Sequence, residues 1–213
     1  MNDLADRREE EKERRRREIL EAAERIAGES GFAALTMERV AAGARLSRAL
    51  LYVYFKDRND LMSALAEKAL LSLHRRFAAA VRAGGTGYAQ VMACGRAYVA
   101  FWREQRVEFD ALAHFEAQQC AEPQDNALAC FAAGDRVQAE LVSAINAGMA
   151  DGSLRSDLPD AGLVATNLWG FLHGNIVLAT NKAAVLAHHG FSGEQVLDAA
   201  IELAGRSIAA RPV

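Results

Sequence analysis

The chain has 213 residues, of which 51% are hydrophobic and only 3 are proline, and its formal net charge is −3. That length allows one or two domains with a substantial core, and the scarcity of helix breakers favours helices. No segment approaches the roughly 18 consecutive apolar residues of a membrane span, and the charged N-terminal residues do not resemble a secretory signal. We therefore expect a cytoplasmic protein.

The first residues carry charge rather than apolar periodicity. Residues 1–13 alternate in sign, which predicts a disordered tail. A run of four arginines, residues 14–17, then enters the first helix. It is either a solvated helix end or an arm that touches DNA phosphates, with Arg17 as the candidate contact. Apolar residues at helical spacing follow over residues 19–27, and Gly31 is expected to end this helix.

Two short predicted helices come next, joined by a tight turn. Thr36 is the expected N-cap of the first helix, which breaks near Arg45, and Ser47 is the expected N-cap of the second. Two short helices in this arrangement are typical of a helix-turn-helix. The exposed face of the second helix would carry Ser47, Arg48 and Tyr52, which can donate hydrogen bonds to phosphates or base edges.

Positive charge is concentrated in this part of the chain. Residues 14–58 contain ten Lys or Arg and six Asp or Glu, a net charge of +4, so the remaining residues carry −7. A basic segment on an acidic chain is what local phosphate binding requires. The acidic remainder disfavours non-specific coating of DNA.

The rest of the chain is predicted to be helical throughout. Asp57 and Asp60 form a variant of the capping box before a helix that extends to about residue 82. This helix begins beside the helix-turn-helix, so it is the natural mechanical link to the C-terminal part of the chain. Later helices are expected from residue 88, over residues 109–115, over residues 126–150, from residue 159 to about 179, and from Ser192 onward, where Ser192 and Gln195 have the spacing of a capping box. No strand-like alternation is present, which predicts an all-α fold.

The order of residues resembles the DNA-binding domain of TetR-type transcriptional regulators. The residues at matching places are Ile19, Leu20, Ala22, Ala23, Gly31, Phe32, Thr36, Val40, Ala41, Ala44, Leu46, Ser47, Leu51, Tyr52, Tyr54, Phe55 and Leu61. Three positions depart from the family pattern: Arg45 and Ala49 stand where it has glycines, and Arg58 stands where it has a lysine. The turn must then either hold a non-glycine residue at positive φ or adopt another shape.

The resemblance implies three parts and a set of DNA contacts. The parts are a tail (1–13), a three-helix helix-turn-helix DNA-binding domain (14–57) and a helical ligand-binding and dimerisation domain (58–213). Arg48, Ala49 and Leu50 would face the major groove, with Arg48 on a base edge. The residues that would position the phosphates are Thr36, Ser47, Tyr52, Tyr54, Lys56 and Arg58, although Tyr52 and Tyr54 could instead be core aromatics.

Aromatic side chains with interleaved polar groups fill the predicted second domain. They could be plain core, or they could line an apolar cavity for a small apolar or aromatic effector. The candidate ligand contacts are Tyr98, Phe101, Trp102, Phe109, His114, Phe115, Phe131, Trp169 and His173. The last two helices have more apolar surface than one core needs, so they are the expected homodimer interface, with internal core helices as the alternative.

The sequence shows no catalytic or metal motif. Cys94, Cys120 and Cys130 are odd in number and lack metal-ligand spacing, so we expect buried reduced thiols and no cofactor. The favoured interpretation is a DNA-binding transcriptional regulator, a repressor released from double-stranded operator DNA by a small effector. A DNA-binding regulator without a working ligand pocket and an α-helical enzyme or carrier remain as alternatives.

Overall fold

A computed structural model describes residues 3–115 and 125–210, and the secondary structure in these ranges is helical, as predicted. None of the described helices is long and apolar enough to cross a membrane. The helices are α1 (Asp3–Ser30), α2 (Met37–Gly43), α3 (Arg48–Tyr54), α4 (Arg58–Arg82), α5 (Gly87–Glu104), α6 (Arg106–His114), α7 (Asp125–Ala150), α8 (Ala161–Asn181), α9 (Ala183–His188) and α10 (Gly193–Ile208), with a 3-10 turn at Phe32–Ala34.

The segment that the sequence predicted as a disordered tail is helical instead, because α1 begins at Asp3. Its charges alternate at the three- and four-residue spacing that places opposite signs on one helix face. Successive ion pairs therefore offset the missing apolar contacts. They are Lys12 with Glu9, Arg14 with Glu11 and Glu18, and Arg15 with Glu11 and Glu18.

The chain divides into two compact units, and the division differs from the predicted boundary between residues 57 and 58. The first unit contains Met1–Leu70 and Arg106–Ala132, and the second contains Leu71–Gln105 and Ala133–Val213. Both α4 and α7 contribute residues to each unit. Because each of these helices is continuous, the domain boundary does not coincide with a helix end.

The first unit is built around one apolar cluster. Its fully buried members come from α1, α2, α3 with the residue that follows it, and α4: Ile19, Ala23, Val40, Leu51, Phe55 and Leu61. Neither α2 nor α3 could form such a core alone, since each has only seven residues. They depend on α1 and α4 for burial, and this holds the two short helices in a fixed arrangement.

Local capping signals define the helix ends in the first unit. Thr36 and Ser47 are the N-caps of α2 and α3, as predicted. Gly31 follows the end of α1 with a φ of 77°, which glycine adopts without a steric cost. Before α4, the Asp57 side chain accepts a hydrogen bond from the backbone of Asp60 at 2.8 Å, so the first half of the predicted box is present. The Asp60 carboxylate accepts from the Lys56 backbone, whereas the predicted box would use the Asp57 backbone.

The second unit contains α5, α8, α9 and α10 with the later parts of α4 and α7. The backbones of Gly87 and Gly148 approach so closely that a Cβ on Gly87 would overlap Gly148. Asp151 accepts a hydrogen bond from the Gly87 backbone at 2.8 Å, which fixes the start of α5 to the end of α7. Ser192 and Gln195 form the predicted capping box of α10.

Candidate nucleic-acid interface and effector site

Helix α3 buries one side and exposes the other. Leu51 is fully buried, and Phe55, directly after the helix, is also buried, so α3 is anchored to the core of the first unit. The opposite side exposes the predicted base-facing residues Arg48, Ala49 and Leu50. Val53, which the sequence did not single out, is the most exposed large apolar residue of the helix, at 76%. Its spacing of four residues from Ala49 could have identified it.

Two hydroxyl groups on this surface cap helices and still keep a proton to donate. The Thr36 Oγ1 accepts from the Arg39 backbone at 3.3 Å, and the Ser47 Oγ accepts from the Leu50 backbone at 3.1 Å. A hydroxyl group has one hydrogen and two lone pairs. Each side chain can therefore cap its helix and donate to an anion at the same time.

The predicted base-reading arginine has an acidic partner in its own protomer. The Nη2 of Arg48 lies 2.7 Å from a carboxylate oxygen of Glu38, in the first turn of α2, and both side chains are more than half exposed. An exposed pair of this kind is weak and exchangeable. Arg48 is thus held near the surface but remains available for exchange onto another hydrogen-bond acceptor.

Three other arginines of the first unit donate hydrogen bonds to backbone carbonyl groups. The Nε of Arg58 donates to the Leu35 carbonyl at 2.9 Å and its Nη2 donates to the Phe32 carbonyl at 3.1 Å. Arg25 donates to the Gly43 carbonyl and Arg39 donates to the Ala34 carbonyl. The geometry of Arg58 therefore supports a structural role, whereas the sequence predicted a phosphate contact.

In the run of four arginines, residues 14–17, three side chains have partners within the protein and one does not. Arg14 and Arg15 are paired with glutamates on α1, as described above. Arg16 donates to Asn126 at 2.8 Å and its guanidinium lies 5.7 Å from the centroid of the Phe55 ring. Arg17 is exposed and makes no hydrogen bond or ion pair with the residues that the structure describes. It is the member of the run that remains available to an arm-like role.

Asn126 connects three helices of the first unit. Its Nδ2 donates to a carboxylate oxygen of Asp60 at 2.8 Å while its Oδ1 accepts from Arg16. Asp60 is 8% exposed and also accepts from the Lys56 backbone. A buried carboxylate requires such partners. The first turn of α7 is therefore fixed to α1 and to the start of α4.

The turn between α2 and α3 adopts the first of the two shapes that the sequence allowed. Arg45 has a φ of +56° and is the only residue other than glycine with positive φ in the described ranges. The Arg45 backbone donates to Ala42 and the Leu46 backbone donates to Ala41, which together form a Schellman motif with Arg45 at its left-handed position. The side chain of Arg45 is exposed.

The remaining predicted phosphate contacts differ in exposure. Tyr52 is 44% exposed, and Lys56 is exposed as well. Tyr54 is half-buried and packs against the apolar cluster of the first unit. Its ring therefore belongs in part to the core, which was the alternative interpretation of this residue.

The nine residues predicted to form one effector site lie in two different units. Tyr98, Phe101, Trp102, Trp169 and His173 belong to the second unit, whereas Phe109, His114, Phe115 and Phe131 belong to the first. The ring of His114 stacks on Phe32 with centroids 4.9 Å apart. Phe109 is buried, and Phe115 contacts Phe131 edge-on.

A hydrogen-bonded group brings together three of the predicted ligand residues. The buried Tyr98 hydroxyl accepts from the Trp169 indole at 3.1 Å and lies 2.9 Å from the Nδ1 of His173. Burial raises the pKa of Tyr98 well above its ordinary value and lowers the pKa of His173. Both groups are therefore uncharged near neutral pH. An uncharged polar group among apolar side chains can orient a largely apolar ligand.

The two cysteines that the structure describes are free thiols. Cys94 and Cys130 are buried, and Cys120 lies outside the described residues. Burial, with a smaller contribution from Glu140, raises the pKa of the Cys94 thiol to about 12, so it is protonated near neutral pH and a poor nucleophile. No cluster of three metal-ligating side chains occurs among the residues that are described.

Large apolar side chains are exposed on the last long helices. On α8 and α10 they are Leu163, Trp169, Phe171, Val177, Leu178 and Leu203, each at least 39% exposed. The small residues Ala200 and Gly205 on α10 are buried within their own unit. The apolar surface itself is present, and patches of this kind mark interaction sites.

Comparisons with known proteins agree with this arrangement. Residues 19–65 match the family model described as bacterial regulatory proteins, tetR family, and residues 91–204 match the one described as tetracyclin repressor-like, C-terminal domain. No curated protein gave a sequence match.

Several solved structures share the fold. A protein described as of unknown function from Rhodococcus sp. RHA1 is 26% identical over 92% of this chain and 95% of its own, with a TM-score of 0.72. The TetR family transcriptional regulator PfmR from Thermus thermophilus is 21% identical over 88% and 97%, with a TM-score of 0.66. AibR, described in complex with isovaleryl coenzyme A and operator DNA, is 20% identical over 89% and 97%, with a TM-score of 0.63.

The C-terminal family model alone spans more than half of the chain, and the N-terminal model covers the helix-turn-helix. This protein therefore belongs to the tetR family of bacterial regulatory proteins and is a DNA-binding transcriptional regulator.

Proposed function

We propose that the protein is a homodimeric cytoplasmic repressor that a small, largely apolar effector releases from operator DNA, and we assign it no catalytic activity. The observation that carries the DNA-binding part is the exposed side of α3. It presents Arg48 and the apolar side chains of Ala49, Leu50 and Val53 to solvent, while Leu51 anchors the helix from behind. A short, rigidly supported helix with this surface fits the major groove.

The proposed contacts separate into base readout and positioning. Arg48 would bind a guanine edge, and a bidentate pair of this kind contributes about 1–3 kcal/mol of discrimination. Ala49, Leu50 and Val53 would contact thymine methyl groups. The proposed phosphate contacts are Arg17, Thr36, Ser47, Tyr52 and Lys56, which are all exposed.

A single α3 offers too few base contacts for a specific site, so two copies are required. The exposed apolar side chains on α8 and α10 support a two-fold interface through these helices. Two reading helices would then address half-sites one duplex turn apart, roughly 34–36 Å. Leu203→Glu should give a monomer in light scattering and abolish operator binding, whereas Leu128→Glu, an exposed leucine in the first unit, should do neither.

The second unit supports an effector site centred on Tyr98, Trp169 and His173. The group combines the buried Tyr98 hydroxyl with the partly buried His173 ring and the exposed Trp169 indole, which favours a ligand that is mostly apolar with one or two hydrogen-bonding groups. The occurrence of an acyl-coenzyme A together with operator DNA in AibR supports the idea that this fold can serve both ligands.

Coupling between effector and DNA is proposed to run through α4 and α7, which contribute to both units. At one end of α7, Asn126 bonds Asp60 and Arg16 in the first unit. A ligand that prefers one position of these helices shifts the equilibrium only by its difference in affinity between the two states. Asn126→Ala should therefore reduce the effector's effect on DNA affinity more than it reduces the binding of either ligand alone.

The experiment for the DNA-binding part is selection of genomic fragments followed by affinity measurements on the selected and on random duplexes. Arg48→Ala should lose the preference for the selected site while retaining most of the random-DNA affinity. Equal losses on both duplexes would contradict the assignment of Arg48 to a base edge.

The effector part is tested by thermal-shift screening with apolar compounds and fragments. Compounds that stabilise the protein should release operator DNA, and Tyr98→Phe should weaken both effects. If stabilising compounds leave DNA affinity unchanged, the coupling proposal is wrong. If no compound stabilises the protein and Tyr98→Phe leaves DNA binding intact, the aromatic residues are plain core and the regulator acts without an effector.

A further inference from the structure

Most of the cations in the DNA-binding region are already occupied within the protomer. Arg14, Arg15 and Arg16 bind carboxylate or amide oxygens, Arg25, Arg39 and Arg58 bind backbone carbonyls, and Arg48 is paired with Glu38. Of the ten cations in residues 14–58, three are exposed and their charged groups have no hydrogen bond or ion pair among the described residues. They are Arg17, Arg45 and Lys56.

Arg45 differs from the other two because its backbone is strained. It has a φ of +56°, where the Cβ of an L-residue meets the adjacent backbone and glycine does not. Residues in such regions persist when the surroundings enforce them, and they are found preferentially at functional sites. A large cationic side chain at this position therefore requires an explanation that the turn itself does not give.

The turn does not need the side chain of Arg45 for its own hydrogen bonds. The end of α2 is satisfied by the backbone bonds from Arg45 to Ala42 and from Leu46 to Ala41. The Gly43 carbonyl is satisfied by Arg25 at 3.0 Å. All of these bonds would be retained with glycine at this position, so the guanidinium has no local acceptor that it must serve.

The position of Arg45 in the chain would bring it to the edge of the major groove if α3 binds DNA as proposed. It lies two residues before Ser47, the N-cap of α3, and three before Arg48. When α3 enters the major groove, the preceding turn lies against the strand that borders the groove, where phosphates are the available acceptors. A guanidinium binds a phosphate through two parallel hydrogen bonds.

We propose that Arg45 of each protomer binds a DNA backbone phosphate at the edge of the major groove, and that its strained backbone is retained for this contact. The inference rests on the proposed DNA-binding function and adds a residue to it. Arg45 would contribute to affinity on every duplex and not to the choice of sequence.

The test compares Arg45→Gly, Arg45→Asn and Arg45→Lys with the wild type on operator and random duplexes over a range of salt. Asn tolerates positive φ without a charge, so it keeps the proposal testable if the glycine variant folds poorly. Loss of one phosphate contact per protomer should reduce the slope of log K against log salt by roughly 2 in the dimer, because each contact contributes about 0.9. In the Gly and Asn variants, the affinity for the operator and for the random duplex should fall by the same factor. Arg45→Lys should retain most of the salt slope. The melting temperature of Arg45→Gly should not fall below that of the wild type.

Two results would overturn the proposal. Unchanged affinity and slope in both the Gly and Asn variants would show that Arg45 does not reach DNA, and a loss confined to the operator would show a base contact instead. Lys56→Gln in the same series separates this failure from a failure of the DNA-binding function. If the wild-type protein shows no preference for the operator, the proposed DNA-binding function is wrong. If the salt slope falls for Lys56→Gln but not for Arg45→Gly, only the inference about Arg45 is wrong.

Discussion

Glu38→Gln is expected to tighten DNA binding, because the Glu38 carboxylate competes with DNA for Arg48. The two groups are 2.7 Å apart, and the side chains of Arg48 and Glu38 are 62% and 55% exposed. Exposed pairs with good geometry are worth about 0.2–1 kcal/mol. The wild-type dimer must break two such pairs when both copies of α3 bind DNA. The free energy of DNA binding of the variant should therefore be more favourable by roughly 0.4–2 kcal/mol, which lowers Kd about 2- to 30-fold.

The assay is fluorescence anisotropy on the selected operator at low salt, where exposed charges are least screened. Glu29→Gln is the matched control, because Glu29 is exposed, lies in the same unit and makes no contact with Arg48. It removes the same charge without freeing Arg48. A gain no larger than that of the control would refute the competition, and a weaker Kd would mean that Glu38 instead orients Arg48 for binding.

Three further outcomes are expected. Arg58→Ala should lower the free energy of unfolding in urea by about 1–3 kcal/mol through lost bonds to backbone carbonyls, while the salt slope of DNA binding stays unchanged. Because burial lowers the pKa of His173 below its ordinary value of 6.5, the folded state favours the neutral ring. The contribution of His173 to the free energy of unfolding should therefore be fully present above pH 6.5 and be lost as the pH falls below that value. His173→Gln should flatten this pH dependence in a series of denaturation measurements. Gly87→Ala should lower the free energy of unfolding by about 3 kcal/mol in thermal melts because its Cβ overlaps the Gly148 backbone, whereas Gly174→Ala, with open space at its Cβ, should change it little.

Signals that act over three or four residues were recoverable from the sequence. Thr36, Ser47 and the Ser192–Gln195 pair were predicted as caps and form the caps observed. Positive φ at Arg45 was one of the two turn shapes that the sequence left open, and it is the one adopted. Each of these depends on the backbone of its own segment, which sequence spacing describes directly.

Contacts between distant segments were not recoverable in the same way. The hydrogen bond of Arg58 joins residues 23 positions apart in the chain, and the family resemblance, which implied a phosphate contact for Arg58, does not indicate that bond. His114 was grouped with the effector residues because of its aromatic neighbours, yet it stacks on Phe32 in the first unit. Residue type and periodicity indicate that a side chain is apolar or charged, but the partner depends on how the helices pack.

The arginines that bind carbonyls have a consequence for any mutational survey of this protein. If every basic residue of the first unit were replaced in turn, the variants at Arg25, Arg39 and Arg58 would lose operator occupancy through local unfolding rather than through lost contact. A map of the footprint drawn from such a survey would extend well beyond the surface that touches the duplex. Protease sensitivity measured in parallel would remove these false positives, because only internally bonded arginines should alter it.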